Sequence, residues 1–561
     1  MFHRPLRSTG TGLAVAVALA AAGLLRTGSA AHASDGLAPK PPMGWNSWNT
    51  FGCNIDSQLV RGMADSIVNS GMRAAGYEYV VIDDCWFDPV RDQNGNLRAN
   101  AARFPEGIKA LADYVHGKGL KFGIYQVPTD KTCAQRGGGY PGSTGSRGFE
   151  RQDARQFAAW GVDFLKYDWC SPEGTLQGQI AAFTLMRDEL RATGRPIIYS
   201  INPNSYHSPK TGAQYDWGSI ANMWRTTEDI AALWDNGLGN RNTYPMGVSN
   251  IVQVNGALPA QTRPGHWNDP DMLEVGVGTR LTPTQNRSHM SMWAMMASPL
   301  IAGNDIRSQS SATRDILTAP EVIAVNQDPV GRQGVKVADS GGLQVWSKTL
   351  TGTGRRAVAL FNTTGSVADI RASWSDLGLG AGNASVRDLW ARANLGSFTG
   401  GITRSVPSHG VVLLEVGGSE GGARVPTAKT DSRTITDLTV SVSFTVNGTK
   451  HQDVEYVGTL DKRTVLALDG VGGLASGGVQ RGNFLYGRGG ISGTAGFDIQ
   501  KLDTRAIDDL SISVTFRING QAHYDYETVG NLTGTIRPLQ LNAQGGKWDG
   551  SRWVGDFLRG A

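Results

Sequence analysis

Four apolar runs in this chain end in carboxylates. YVVI (79–82) runs into Asp83-Asp84, and VDFL (162–165) into Lys166-Tyr167-Asp168-Trp169. Arg225 through Asp229 closes a third, and Trp267-Asn268-Asp269-Pro270-Asp271 a fourth. A buried strand of purely structural use would carry Val or Ile at such ends. Acids at the ends of four strands would converge on one pocket, where a nucleophile and a proton donor can face each other across an acetal. Indoles lie close by in sequence, at Trp45, Trp48, Trp86, Trp169, Trp224 and Trp267, and would offer walls for flat sugar faces. Other chemistries lack their residues. There is no Gly-x-Ser-x-Gly elbow. His266 has no second His at ligand spacing, and the cysteines lack CxxC pairs, so no metal site is expected and His266 reads as rim packing. No phosphate-binding glycine fingerprint is present, and no cofactor is expected.

These acids need a scaffold that gathers strand ends. From Pro41 to about Gly331 the chain alternates strand-like runs with amphipathic stretches. The runs are MGWNSW (43–48), YVVIDDCW (79–86), KFGIYQV (121–127), VDFLKYDW (162–169), PIIYSIN (196–202), NMWRTTED (222–229), HWNDPDM (266–272) and PLIAGND (299–305). Eight such units predict a (β/α)8 barrel over 34–331, with reactive groups at the C-terminal ends of the strands. From 332 to 416, runs such as LQVWSKTL and GVVLLEV lose the helical period and predict an antiparallel β domain. Residues 417–430 read as a Gly-rich linker. Over 431–561, DLTVSVSFTVNG (437–448) returns as DLSISVTFRING (509–520), a repeat at an offset of 72 residues. It predicts two similar β modules or one pseudo-twofold module. The accompanying His451, Asp453 and Glu455, with His523, Asp525 and Glu527, read as solvated strand faces rather than a cation cage.

Composition narrows the setting. The net charge is +4, and Arg4, Arg7 and Arg26 of the first 33 residues account for three of those charges. The remainder is almost neutral, without Lys/Arg runs, so no nucleic-acid partner is expected. Seventy-four glycines without a Gly-X-Y period exclude collagen. Arg4 and Arg7, an apolar run from Leu13 to Leu25, and Ala31-His32-Ala33 read as a secretory signal peptide over 1–33. No later run is long enough for a membrane span, and no motif specifies an oligomeric state. Export implies paired thiols. Cys53 follows the first strand and Cys85 ends the second; Cys133 follows the third and Cys170 the fourth. Neighbouring strands share a rim, so of three connectivities the local one is Cys53–Cys85 with Cys133–Cys170.

The segment from Gly76 to Trp86, GYEYVVIDDCW, together with MGWNSW, LKYDWC (165–170), WRTTEDI (224–230), GHWNDPDML (265–273) and VNQDPVG (325–331), resembles glycoside hydrolase family 27, the melibiase family of α-galactosidases and α-N-acetylgalactosaminidases. The resemblance covers about residues 37–416 and not the repeats. It implies a secreted exo-glycosidase that removes terminal α-galactosyl residues from oligo- or polysaccharides with retention. It also implies Asp168 as nucleophile and Asp229 as acid/base, four residues after the sugar-binding Arg225. Asp83 and Asp84 match the readers of the galactose O4 and O6. Trp48 matches a pocket wall, Tyr125 and Lys166 further pocket positions, and Asp271 an acid behind them. A retaining pair stands ~5–5.5 Å apart. Lys166, on the same strand face as Asp168, is expected to hold the Asp168 pKa low, and the pair's proximity to raise that of the acid/base.

One stretch departs from the family pattern. After strand five the family carries Cys-Glu-Trp or Cys-Ser-Trp, where this chain has Ile201-Asn202-Pro203-Asn204-Ser205. Asn202 and Ser205 therefore stand where the sugar's 2-position is read. The loop after strand three, Gln126-Val127-Pro128-Thr129, also lacks the usual Asp and Gly. α-N-acetylgalactosaminidase and β-L-arabinopyranosidase are the alternative specificities, with isomalto-dextranase behind them. A galactoside-binding protein on a dead barrel is the alternative of another class, against which stand both carboxylates.

Overall fold

The computed structural model describes residues 36–419 apart from Asn240, and beyond them the backbone of the strands between 435 and 558. The expected leader (1–33), most of the expected linker (417–430) and the repeat side chains, including the His-x-Asp-x-Glu sets, lie outside the described residues.

Eight short strands build the barrel: β1 (Met43–Asn46), β2 (Tyr79–Val81), β3 (Lys121–Gln126), β4 (Phe164–Asp168), β5 (Ile198–Asn202), β6 (Met223–Arg225), β7 (Trp267–Asp269) and β8 (Leu300–Ala302). They run in the order β7-β6-β5-β4-β3-β2-β1-β8, every ladder parallel. Leu273, just past β7, bridges Ala302 of β8 in parallel and completes the ring. Helices pack outside by their apolar spacing. In Ser57–Asn69 the buried set includes Val60, Met63, Ala64 and Ile67, one helical face, and Asp56 caps the start by accepting from the Leu59 N–H at 2.7 Å.

Two expectations are corrected here. Asp83, Asp84, Asp229 and Asp271 lie past the strands rather than in them, since β2 ends at Val81, β6 at Arg225 and β7 at Asp269. The reason is local. The Asp83 N–H donates to Ser47 Oγ (3.0 Å) and the Asp84 N–H to Asp83 Oδ1 (2.9 Å), so side chains replace the ladder. The indoles are mostly core, not wall. Trp45, Trp86, Trp224 and Trp267 have no exposed surface, and Trp169 is buried too. Trp45, Trp86 and Trp267 donate their N–H groups to the backbone oxygens of Asn304, Tyr125 and Ala38. Only Trp48 of the six is half-buried. Between β5 and β6 the chain forms a long loop and a 3-10 turn, Trp217–Ser219, where other units have an α-helix. Pro203 and Pro209 interrupt that stretch.

The second domain has eight antiparallel strands: β9 (Val335–Ser340), β10 (Leu343–Thr349), β11 (Arg355–Asn362), β12 (Ala368–Ser373), β13 (Asn383–Asp388), β14 (Ala393–Thr399), β15 (Gly401–Val406) and β16 (Val411–Gly417). Six form a sheet in the order β14-β13-β16-β11-β10-β9, and β12 pairs with β15. Strand β11 is apolar on both faces because it serves two cores. Val358 and Leu360 join Trp374 and Ile370 inside the sandwich, while Ala357, Ala359 and Phe361 join the barrel cluster. At that junction Trp234 stacks on His409 (4.8 Å between rings), Trp390 Nε1 donates to Ser291 Oγ (2.9 Å) and Arg387 pairs with Glu321 (2.6 Å).

The repeat pairs with itself. Strands Ile435–Val446 and Thr449–Leu460 form one hairpin, Ile507–Ile518 and Gln521–Leu532 its copy. The first strands of the two hairpins pair antiparallel, with Ser441 opposite Ser513, its own counterpart in the repeat. The backbone is therefore one four-stranded sheet with a pseudo-twofold axis at that pair. Among the described residues no helix is long and apolar enough to cross a membrane.

The junction predicts a steric test. Gly256 closes the helix Val248–Asn255 at φ −61°, and a Cβ there would lie 2.4 Å from both the Trp346 ring and the Val252 carbonyl oxygen. Gly256→Ala should lower unfolding stability by about 1–3 kcal/mol, read by denaturant titration, because the clash is with a packed indole rather than a flexible tip. An unchanged midpoint would show that Trp346 is not seated there.

Candidate active site

The register of the barrel brings the predicted residues together. Tyr125 pairs with Lys166, Asp168 with Asn202, and Arg225 with Asp269. Lys166 and Asp168 stand two apart on β4 and share a face. Asp83 Oδ2 accepts from Lys166 Nζ (2.7 Å) and from Asn46 Nδ2 (2.8 Å). Asn46 Oδ1 in turn accepts from the Trp48 N–H (2.9 Å), so one amide sets both the wall and the acid. Asp84 is held by backbone: Oδ1 accepts from the Cys85 N–H (2.7 Å) and Oδ2 from the Ala134 N–H (2.8 Å). Burial pushes its carboxyl up to about 7 against those hydrogen bonds.

Asp168 is buried at the end of β4. Its Oδ2 accepts from the Tyr125 hydroxyl (3.2 Å), while no hydrogen-bond partner lies within reach of Oδ1. Burial pushes it up to about 6; Lys166, Ser205 and Arg225 pull down and Asp229 pushes up. This corrects the expected low value. Lys166 is bonded to Asp83, not to Asp168, and its field is smaller than the cost of burying the carboxylate. Burial opposes the charge of Lys166 itself, but Asp83, Asp168 and Asp271 outweigh it and raise its pKa.

Arg225 is the second cation, and it is buried. Its Nη2 donates to Asp229 Oδ1 (3.0 Å) and to the Thr227 carbonyl (3.1 Å), and lies 3.0 Å from Asp271 Oδ2. Asp271 has a positive φ, 82°, and also accepts from the Ile230 N–H (2.9 Å). Asp269 is pushed up to about 6 by burial, with Arg225 opposing. The Asp229 side chain, 44 % exposed, is the open member of the group and can meet water.

The two disulfides pair as expected, Cys53–Cys85 and Cys133–Cys170, with Cα separations of 5.2 and 4.9 Å. The second abuts the site: Cys133 Sγ is 3.6 Å from Asp168 Oδ2, and Cys170 Sγ is 3.3 Å from the Tyr125 hydroxyl. Cys133, Asp168 and Cys170 also form the close group of candidate metal ligands among the described residues. Both sulfurs are joined to each other, which removes them as thiolate ligands. Asn202 and Ser205 bond to each other, Nδ2 to Oγ at 2.8 Å.

A model described as "Alpha galactosidase A" matches residues 40–328, and one described as "Alpha galactosidase C-terminal beta sandwich domain" matches 340–416. The chain is 42% identical over 415 residues to "Alpha-galactosidase A" of Cellvibrio japonicus, covering 72% of this chain and 98% of the relative. The chain belongs to the α-galactosidase family of glycoside hydrolases. Among solved structures of this α-galactosidase fold, α-galactosidase I from Mortierella vinacea matches with a TM-score of 0.64 and 36% identity, over 69% of this chain and all (100%) of that one. An α-galactosidase from Saccharomyces cerevisiae, solved with raffinose, matches with a TM-score of 0.62 and 29% identity, over 68% of this chain and 98% of the other.

Sequence reasoning misses two positions in this α-galactosidase. Asn46 is one, signalled only by a polar residue inside MGWNSW. Glu274 is the other; it is buried, bonds to Asn49 beside Trp48, and is pushed up to about 8 by burial. Its signal is an acid just after the apolar Met272-Leu273.

Two pH tests follow from these groups. A nucleophile works ionised, so kcat/KM should fall as pH drops through about 6, the Asp168 value. Ser205→Ala, removing a hydroxyl that lowers that value, should move this acid limb upward; an unmoved limb would refute the contact. Glu274 keeps its proton in the fold until about pH 8, whereas the unfolded chain releases it near 4.5. Its contribution to stability is therefore lost as pH rises through that window. Glu274→Gln should make Tm fall less than in the parent between pH 5 and 9, read by scanning calorimetry.

Proposed function

We propose that this chain is an exported, exo-acting α-galactosidase that works by double displacement with retention. The observation that carries the reading is Asp168: buried, held through Oδ2, with Oδ1 free of partners, and close enough to the half-open Asp229 to feel its charge. Asp168 Oδ1 attacks the anomeric carbon while Asp229 gives its proton to the leaving oxygen, and the glycosidic bond breaks. Water then attacks the same carbon, passes a proton to Asp229, and the bond to Asp168 breaks. Arg225 holds Asp229 toward the pocket. Asp83 and Lys166 present a charged pair to the sugar hydroxyls, and Trp48 covers the side set by Asn46. A buried pair of this kind discriminates between epimers, since a missing hydroxyl leaves it unpaired.

Terminal galactosyl groups of oligo- or polysaccharides are the substrate this reading assigns. The names of the relatives and the raffinose bound in one of them support it. Export is supported by the Arg4/Arg7 leader pattern and by two disulfides, which persist in oxidising compartments.

The test follows the anomer. With p-nitrophenyl α-galactoside, proton NMR of the first-formed sugar should show the α anomer; β-galactose first would overturn the retaining mechanism. Asp168→Ala should lower kcat by at least ~10³-fold. Azide should restore turnover in that variant and yield β-galactosyl azide. The α-galactoside should also outpace the α-N-acetylgalactosaminide, β-L-arabinopyranoside and α-glucoside.

A further inference from the structure

Residue 206 is a tyrosine where the backbone favours glycine. Its φ is 55°, a region in which a bulky side chain is an outlier. Its neighbours hold it there. Asn204 is fully buried; its Nδ2 donates to the carbonyls of Arg225 (3.1 Å) and Thr227 (2.9 Å), and its Oδ1 accepts from the Gly212 N–H (2.9 Å). Buried His207 lies between the carbonyls of Pro209 (2.8 Å) and Gly174 (3.2 Å), edge-on to Trp169. Tyr206 itself is 47% exposed. It extends from the loop after β5 toward the loop after β3, where a Cβ on Gly137 would stand 3.1 Å from its hydroxyl. That second loop carries Cys133, which is bonded to Cys170 and touches Asp168. Ser205, next in the chain, is buried beside Asp168.

A turn alone would be met by Gly or Asn without strain. Here a locked, strained backbone delivers an open aromatic face to the rim on the nucleophile's side. Such outliers persist where their surroundings over-determine them, and they gather at ligand clamps. The residues just before it, Ile201 to Ser205, are the stretch that departs from the expected family pattern.

We propose that Tyr206 forms the subsite for the leaving-group sugar: the C–H face of a pyranose ring, linked to the galactosyl unit in the Asp168 pocket, packs on the phenol. The inference rests on the exo-α-galactosidase reading. The experiment compares raffinose, whose leaving group is a sugar, with α-galactosyl fluoride, whose leaving group is one atom. Tyr206→Ala should raise KM for raffinose by about 3- to 10-fold, the range of an aromatic face contact. Its kcat/KM on α-galactosyl fluoride should stay within about twofold of the parent. Tyr206→Phe should behave as the parent on both. Tyr206→Gly should raise Tm, by relieving the backbone, while still raising KM for raffinose. Equal loss on both substrates, an unchanged raffinose KM in Tyr206→Ala, or a lowered Tm in Tyr206→Gly would each overturn the subsite. A parent enzyme that fails to hydrolyse α-galactosyl fluoride would instead overturn the activity beneath it.

Discussion

Two cations, the half-buried Lys166 and the buried Arg225, stand among six carboxyl groups, and the pocket depends on them. Asp83 takes Lys166, while Asp229 and Asp271 share Arg225. Asp84, Asp168 and Asp269 stand without an ion pair of their own and are pushed up to about 7, 6 and 6 by burial. Charge taken out of water is costly unless paired, and removal of one partner of a buried pair costs ~3–5 kcal/mol. Burial raises Asp84, Asp168 and Asp269, and the charges of Lys166 and Arg225 oppose that rise at Asp168 and Asp269. A site with too few cations for its acids is a site that holds exchangeable protons, which acetal cleavage requires.

The barrel supplies the spacing. Parallel ladders put residues of equal height side by side, and this register sets Tyr125 by Lys166, Asp168 by Asn202 and Arg225 by Asp269. The strands are too short to carry every group, so Asp83, Asp84 and Asp229 sit in turns built from side-chain acceptors. Such turns need anchoring. The disulfides tie the loops of β1 to β2 and β3 to β4, and Asp84 adds a second tie through the Ala134 N–H. The domain of β9–β16 packs against the helix that carries Ser291 and, through His409 on Trp234, against the loop after β6.

Much of this was legible in the residues. Apolar runs of strand length gave eight strands in order, and acids at their ends gave the pocket, because a buried parallel strand has no other use for them. The disulfide pairing followed from neighbouring strands sharing a rim. What was not legible has physical causes. The indoles at 45, 86, 224 and 267 were read as walls, yet an indole with a backbone partner packs as well inside as outside. The Asp168 value was misjudged because sequence spacing shows Lys166 nearby but shows neither that Asp83 claims it nor how deep Asp168 lies. Asn46 and Glu274 were missed because their importance lies in partners 37 and 225 residues away.

The loop after β5 shows why residue identity alone misleads about a reader of the substrate. Asn202 and Ser205 were expected to read the sugar's 2-position, but their polar atoms are partly spent on each other. Asn202 Nδ2 donates a hydrogen bond to Ser205 Oγ, and Asn202 Oδ1 accepts one from the Asn204 N–H. A hydroxyl has one hydrogen and two lone pairs. With one lone pair occupied by Asn202, the hydrogen of Ser205 is what remains for Asp168, and the hydroxyl indeed lowers the Asp168 value. The pair thus acts first on the protein's own carboxylate. The stretch that stands where Cys-Glu-Trp was expected places a hydroxyl that lowers the Asp168 carboxyl against the cost of its burial.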